Sequence, residues 1–352
     1  MPNYVSNIVE FSGDPISEQN MLIAIRDEKY GLGTIDFNKL IPMPEALQIE
    51  AGSSTDKGLK AYKDFAAIYS AANGITGLDL LHIPETAEQQ VRMQFPELQI
   101  DEKDWGLGRA AFHNLLQYGA PTWYEWCIQN WGTKWGACGY ELGMDYGTNC
   151  KALWFETAWS PPVPVIEELA RRFPELEFTH RWADEDIGHN CGMHEYAAGE
   201  RTEEFYPDGQ KDRIDFALDV WGYDPEDLGY RLNRDGTAYL YMDREEFELI
   251  EIAGQTALFA NERYGPETTP EGLYCYHLRM SDEQDRLAAL EPYVKVNFGG
   301  TVFTKEPIDL GEDGCLKLSE ETEPNFLGQT VTLSDYMEDR FDLSDEQSMG
   351  GM

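Results

Sequence analysis

The chain has 352 residues, 42% of them hydrophobic, which is enough for two or three domains with sizeable cores. Against 27 basic residues stand 65 acidic ones, and the formal net charge is -38. Such a surface repels nucleic acid phosphates and anionic lipid, so we expect no direct binding to nucleic acid or to a membrane. The sequence also lacks an apolar run long enough to span a bilayer.

The first part of the chain predicts a strand, a helix and a helical insertion. Tyr4 to Phe11 alternates in hydrophobicity, which predicts a strand, and Ser17 to Asp27 has the spacing of a short amphipathic helix opened by an imperfect capping box. Ile35 to Pro44 is apolar and is predicted to be extended. Residues 45–118 then show helical apolar spacing, which predicts an inserted helical subdomain.

Aromatic residues concentrate in the stretch from Tyr118 to Pro162, and eight of the nine tryptophans lie between Trp105 and Trp182. One stripe of a predicted helix carries five residues at helical spacing: Trp123, Trp126, Cys127, Asn130 and Trp131. Ala152 to Ala158 alternates like a strand and ends before two prolines. A helix and a strand are therefore expected to pack their aromatic faces together.

The segments after Pro162 complete a sheet. Val163 to Phe173 is predicted to be a helix, and Leu176 to Trp182 and Gly192 to Ala198 are predicted to be strands of a hairpin. The order of strand, helix, insertion, strand, helix, strand and strand is that of a split βαβ, ferredoxin-like sheet. The predicted fold class is α+β.

The domain layout predicted from these patterns has four parts. Residues 1–200 form the ferredoxin-like domain, with its insertion at about 45–118, and residues 201–243 form a connecting helix and hairpin. Residues 244–342 form a smaller β-rich domain, with a hairpin at Phe247 to Asn261 and strands at Leu273 to Leu278, Tyr293 to Phe298 and Gly300 to Thr304. Residues 343–352 are predicted to be a disordered tail.

Several long blocks carry a family resemblance. They are MPNYVSN, FNKLIPMPEAL, YGAPTWYEWCIQNWGTKW, FETAWSPPVPVIEELARRFPELEF and FALDVWGYDP. Together they resemble the YubB-type ferredoxin-like family carried by plasmids and phages, over about residues 1–230, or the N-terminal two thirds. The resemblance implies the same sheet and implies no activity, because that family is a domain of unknown function.

The C-terminal part carries a second resemblance, on FELIEIAGQTALFANERYG, EGLYCYHLR and GTVFTKEPIDLGEDG. These blocks are similar to a large polyvalent protein-associated domain. Such domains occur in multi-domain proteins of phages and conjugative elements, some of which are thought to enter the recipient cell with DNA. Both resemblances imply an accessory protein of a mobile genetic element.

The aromatic stretch supplies the first candidate site. The turn after the tryptophan helix places a hydroxyl and an ammonium between aromatic side chains, which could hold an anion or contact a protein. The candidate interaction residues are Trp123, Trp126, Trp131, Thr133, Lys134 and Trp135. The alternative is that the tryptophans are core, since aromatic stripes at helical spacing bury much apolar area.

A second candidate site is a metal centre in the region from Asp184 to His194. Its proposed ligands are His180, His189, Cys191 and His194. The intervening acidic residues could instead supply paired carboxylates for acid–base catalysis or for magnesium. No second ligand pair has regular spacing, and the sequence has no nucleophile elbow, phosphate loop or zinc-protease motif. An enzyme is therefore not indicated, and no cofactor is predicted.

The family resemblances, the acidic surface and the candidate metal ligands lead to three hypotheses on function. The leading one is a non-enzymatic accessory protein that binds a host or element protein, in counter-defence or in DNA transfer. The second is an acidic DNA mimic that inhibits a basic nucleic-acid-binding protein, and the third is the metal-dependent enzyme. A partner selected by charge would be basic. With no signal peptide and no regular cysteine pairs, reduced thiols and a cytoplasmic location are expected.

Overall fold

The computed structural model describes residues 3–147, 150–241, 246–281, 286–319 and 322–341. The chain divides into two compact units, Met1–Asp208 and Gly209–Met352. Both contain helices together with antiparallel sheets, which confirms the predicted α+β class. Within the described ranges, no helix is both long and apolar enough to cross a membrane. The predicted tail at 343–352 lies outside the described residues.

Five strands form one sheet in the first unit. They are β1 (Tyr4–Ser12), β2 (Ala152–Ala158), β3 (Glu177–Asp184), β4 (Gly192–Ala197) and β5 (Glu200–Phe205). Their order is β2-β1-β3-β4-β5, and every neighbouring pair is antiparallel. Strands β2 and β3 therefore run parallel to each other on either side of β1. A helix, α7 (Val163–Arg172), joins them and completes the predicted split βαβ.

Helices cover one face of this sheet. Besides α7 they are α1 (Pro15–Ile25), α2 (Phe37–Leu40) and α6 (Trp123–Trp131). The shared core takes side chains from all four helices and from β1, β2, β3 and β4. Asp14 caps helix α1, because its carboxylate accepts hydrogen bonds from backbone N–H groups of the first turn. The capping box predicted at Ser17 is therefore wrong. The segment Ile35 to Pro44, predicted to be extended, contains α2 because Asp36 caps a helical turn there.

The helical insertion is built on a close crossing of two helices. Its helices are α3 (Ser53–Asn73), α4 (Glu85–Gln94) and α5 (Glu102–Tyr118), and they bury a cluster of their own. A Cβ added to Gly58 would lie 1.9 Å from the Asp104 carbonyl oxygen, and one on Gly108 would lie 2.1 Å from the carbonyl carbon of Gly58. Glycine at both positions lets the two backbones touch.

The first unit extends beyond the predicted domain end at residue 200. Strand β5 pairs with β4 across a tight turn in which Ala198 and Gly199 both have positive φ. The predicted connector at 201–243 therefore begins within this strand, and the unit ends at Asp208. All six residues of β5 are exposed, so its sequence has no alternation of polar and apolar residues that would predict a strand.

The second unit is rich in strands, as expected. It begins with α8 (Gln210–Trp221) and a small hairpin of β6 (Tyr230–Leu232) and β7 (Tyr239–Tyr241). Its main sheet contains β8 (Glu246–Ile252), β9 (Gln255–Ala260), β10 (Tyr274–Met280), β11 (Leu287–Glu291), β12 (Phe298–Thr304), β13 (Leu316–Lys317) and β14 (Asn325–Thr332). The strand order is β13-β11-β10-β12-β9-β8-β14, all antiparallel, and a short helix, α9 (Leu333–Met337), follows.

One strand predicted in this unit is wrong. Residues 293–297 form a loop between β11 and β12, although their apolar residues alternate. Val294 is buried there and Val296 is 69% exposed. The backbone N–H of Val294 donates to Nδ1 of His277 at 3.1 Å, and Nε2 of His277 bonds the Tyr264 carbonyl at 2.5 Å. A buried histidine therefore helps to order this loop, which is not itself a strand.

Candidate functional site

Helix α6 forms where the aromatic spacing predicted it. Thr122 caps it by accepting a hydrogen bond from the Tyr124 N–H at 3.2 Å, and Gly132 ends it with φ 77°. Trp126 and Trp131 are buried in the core, and Nε1 of Trp131 donates to the Ile41 carbonyl at 2.9 Å. These two predicted interaction residues are therefore core residues. Trp123 is half-buried and packs against the same core.

The predicted anion site at the turn does not use its hydroxyl. Thr133 is buried, and its Oγ1 donates to the carbonyl oxygen of Ala158 at 2.7 Å. This hydrogen bond ties the turn after α6 to the end of β2. The threonine therefore positions the neighbouring residues and has no free donor for a ligand.

Lys134 lies among three aromatic rings on the surface of the first unit. Its Nζ is 4.5 Å from the ring centre of Trp159, 4.9 Å from that of Trp135 and 5.9 Å from that of Tyr124. Each distance is within the range of a cation–π contact. Tyr124 and Trp159 also meet edge to face, with ring centres 6.2 Å apart. We call Tyr124, Lys134, Trp135 and Trp159 the lysine cage.

Trp159 is held in a conformation that a tryptophan rarely adopts. Its φ is 74°, in the left-handed region, which costs a residue with a side chain about 1–3 kcal/mol. Two hydrogen bonds hold its backbone, from its N–H to the Asn3 carbonyl at 2.9 Å and from the Asn190 side chain to its own carbonyl at 3.2 Å. Even so, the residue remains 42% exposed. The structure thus keeps a large apolar ring at the surface against a backbone penalty.

The ammonium of Lys134 has no ion-pair partner among the described residues, although the chain has 65 acidic residues. It lies over ring faces, whose negative quadrupoles favour a cation. Sequence reasoning named Lys134 and Trp135 for this site and missed Tyr124 and Trp159. The sequence signal that could have found Trp159 was the second aromatic block, which contains β2, because β2 ends beside the turn that follows α6.

The four predicted metal ligands do not come together. His180 and His194 are cross-strand partners on β3 and β4 and are both buried, whereas His189 is exposed and lies 3.2 Å from an Asp186 carboxylate oxygen. Cys191 is buried just before β4. Within the part of the chain that is described, no group of three or more His, Cys, Asp or Glu residues is arranged to hold a metal ion.

The two buried histidines instead lie on neighbouring strands of the sheet and make hydrogen-bonding contacts within the unit. Burial lowers the pKa of His180 to about 3, and His194 adds to the effect. Burial also lowers the pKa of His194, helped by Arg201 and opposed by Glu204. The Tyr206 hydroxyl lies 2.9 Å from Nε2 of His194. Both imidazoles are therefore neutral near pH 7 and act as hydrogen-bonding core residues.

The carboxylates of the acidic loop are also separated. Asp184 is buried and accepts hydrogen bonds from the Asn3 side chain at 3.3 Å and the Asp186 N–H at 2.9 Å. Asp186 is exposed and pairs with His189. Asp184 thus serves to shape the loop after β3, and the exposed pair lies outside that network.

Fold and geometry together define an α+β protein whose ferredoxin-like unit exposes a cation between aromatic rings. Comparisons with known proteins agree with this class. Residues 139–224 match the family model described as ferredoxin-like domain in Api92-like protein, and residues 243–338 match large polyvalent protein associated domain 28. The first match includes Trp159 and excludes the other three cage residues.

One solved structure is also similar, the crystal structure of a protein api92 from Yersinia pseudotuberculosis. It is 14% identical, with a TM-score of 0.27, and the alignment covers 59% of this chain and 99% of that chain. No curated protein matches the sequence.

Proposed function

We propose that this chain is an accessory protein of a phage, plasmid or conjugative element, and that it acts without catalysis by binding a protein. The observation that carries this proposal is the lysine cage, in which a tryptophan with left-handed backbone geometry is kept exposed beside a lysine that has no ion-pair partner among the described residues. Exposed aromatic side chains are the groups that most often anchor protein interfaces. A backbone penalty maintained at an exposed residue is typical of functional positions.

The family matches support the setting of this proposal. The match at 243–338 carries the description of a large polyvalent protein-associated domain, and such domains fit a protein that works with others. We also propose that the resemblance to YubB-type proteins extends over about residues 1–230. Counter-defence and DNA transfer are the two roles in which such an accessory protein would act, in the cytoplasm of the host.

An affinity pull-down tests the proposal directly. Tagged wild type, Trp159→Ala and Trp154→Ala would be exposed to host lysate at low and at high salt, and bound proteins identified by mass spectrometry. Trp154 is a matched control, because it is 52% exposed and lies on β2 outside the cage. We expect wild type and Trp154→Ala to retain a partner that Trp159→Ala loses. If Trp159→Ala retains every partner, the cage is not the binding surface.

The net charge of -38 favours one alternative, an acidic DNA mimic. A mimic would bind a basic nucleic-acid-binding protein, compete with DNA for it and lose affinity steeply as salt rises. Recovery of such a protein only at low salt, equally by wild type and Trp159→Ala, would favour mimicry over binding through the cage.

A further inference from the structure

We infer that the lysine cage is a binding site for a cationic side chain of a basic partner, and that Lys134 itself occupies this site in the free protein. The inference rests on the proposed protein-binding function and adds the chemistry of the partner. Three rings around one ammonium form the arrangement that proteins use to recognise lysine-like and quaternary ammonium groups.

Two of the three rings are positioned by contacts that do not involve Lys134. Tyr124 is on the first turn of α6, which Thr122 caps, and the Trp159 backbone is bonded to Asn3 and Asn190. The edge-to-face contact between Tyr124 and Trp159 holds these two rings to each other. Removal of the lysine side chain would therefore leave the walls formed by Tyr124 and Trp159 in place.

The Lys134 side chain is held more weakly than the rings of Tyr124 and Trp159. Its ammonium has no ion-pair partner among the described residues, so cation–π attraction is what holds it. At a site open to solvent, such attraction changes an equilibrium by only about two- to fivefold. A long, flexible lysine side chain can therefore leave the rings when a second cation competes for them.

Charge favours a cation as the incoming group. A net charge of -38 raises the local concentration of cations around the protein and repels anionic ligands. An anion would gain one lysine at this site and meet that repulsion. A lysine or arginine of a basic partner, methylated or not, would instead be attracted at long range and find aromatic faces at short range.

Tetramethylammonium chloride is the probe that tests the cage without a partner. Binding would be followed by NMR of the nitrogen-labelled tryptophan indoles, with sodium chloride at equal ionic strength as the baseline. Neutral tert-butanol, of nearly the same shape, is the control for a purely apolar effect. We expect Lys134→Ala to bind tetramethylammonium about three- to sixfold more tightly than wild type, because the competing lysine is gone. Lys134→Arg keeps a cation among the rings and should bind as weakly as wild type.

A second substitution locates the binding. Adding Trp159→Ala to Lys134→Ala should abolish the tetramethylammonium response, whereas adding Trp154→Ala should leave it unchanged. The inference is overturned if Lys134→Ala binds no more tightly than wild type, if tert-butanol binds equally well, or if the Trp159→Ala double variant still responds.

The two proposals fail in different ways. If tetramethylammonium binds Lys134→Ala but the pull-down recovers no partner, the cation site stands and the proposed protein-binding function does not. If Trp159→Ala loses a partner but tetramethylammonium does not bind Lys134→Ala, the binding surface stands and its cation specificity is wrong.

Discussion

The buried imidazole of His180 should make the first unit sensitive to acid. Its Nε2 lies 3.0 Å from Oδ1 of Asn7, whose amide nitrogen donates to the Val5 carbonyl at 2.9 Å and to Oγ1 of Thr157 at 3.0 Å. Because the amide is the donor in those bonds, its oxygen accepts from His180, which fixes the histidine tautomer. Nδ1 of His180 is buried and has no hydrogen-bond partner in the part of the chain that the structure describes. Protonation at that nitrogen would place a charge in the core.

The size of the effect follows from the two pKa values. Burial lowers the pKa of His180 to about 3 in the folded state, whereas an unfolded chain has a histidine pKa of about 6.5. Below that value the unfolded state binds the proton first, so the free energy of unfolding falls as the pH falls. The slope is half of its limiting value at pH 6.5 and approaches about 1.4 kcal/mol per pH unit below it, so the loss is about 2.3 kcal/mol from about pH 6.5 to about pH 4.5. The loss ends near the folded pKa.

Urea unfolding at several pH values would measure this effect in wild type and in His180→Gln. Tryptophan fluorescence reports on the first unit, which contains eight of the nine tryptophans. The glutamine amide can still donate to Asn7 and does not titrate in this range. Carboxylates and His194 titrate in both proteins, so their effects cancel to first order in the difference. We expect wild type to lose about 2.3 kcal/mol more than the variant over that range. Parallel pH curves would refute the reasoning.

Three substitutions test the packing. Trp126→Ala should cost about 3–5 kcal/mol in urea unfolding, because the ring is 6% exposed in the core. Gly58→Ala should cost about 1–3 kcal/mol or more and lower the helical circular dichroism, because the new Cβ would meet the Asp104 carbonyl. His277→Leu should cost about 1–3 kcal/mol in thermal unfolding followed by near-ultraviolet circular dichroism, because the buried Val294 N–H would lose its acceptor.

Controls for these substitutions come from the chain itself. Gly106→Ala, on α5, would meet no atom within 4 Å and should be neutral or stabilise the helix by up to about 1 kcal/mol. Equal losses for Gly58→Ala and Gly106→Ala would contradict the close helix crossing. An equally stable Trp126→Ala that loses a partner would show that this ring belongs to an interface. If His277→Leu unfolds like wild type, the histidine does not order the loop at 293–297.

The spacing of hydrophobic residues along the sequence predicted those helices and strands that bury one face. Strand β2 and helices α6 and α7 have this property, and their bounds agree with the expectation to within a few residues. Strand β5 was missed because all of its residues are exposed, and only its backbone pairing to β4 defines it. The false strand at Tyr293 to Phe298 alternates like a true one, but its buried Val294 is fixed by His277, which is distant in sequence. Long-range hydrogen bonds of this kind leave no local pattern.

The candidate site was predicted only in part, again because long-range contacts leave no local pattern in the sequence. Lys134 and Trp135 adjoin the predicted helix, so local spacing drew attention to them. Trp159 reaches them because β2 ends beside the turn after α6, where Thr133 bonds to Ala158. Its backbone, with positive φ, donates a hydrogen bond to the Asn3 carbonyl and accepts one from the Asn190 side chain, and these partners come from two other parts of the chain. No window of sequence contains that information.

If the cation inference is correct, the net charge of the protein and the lysine cage would act on a partner over different distances. The net charge of -38 attracts every cation to the protein and cannot by itself distinguish one from another. A cage of three rings acts only on contact and depends on the shape and hydration of the cation. High salt should therefore slow association with a basic partner while leaving much of the contact energy in place. A complex whose dissociation rate rises with Trp159→Ala, and whose association rate falls with salt, would show both contributions separately.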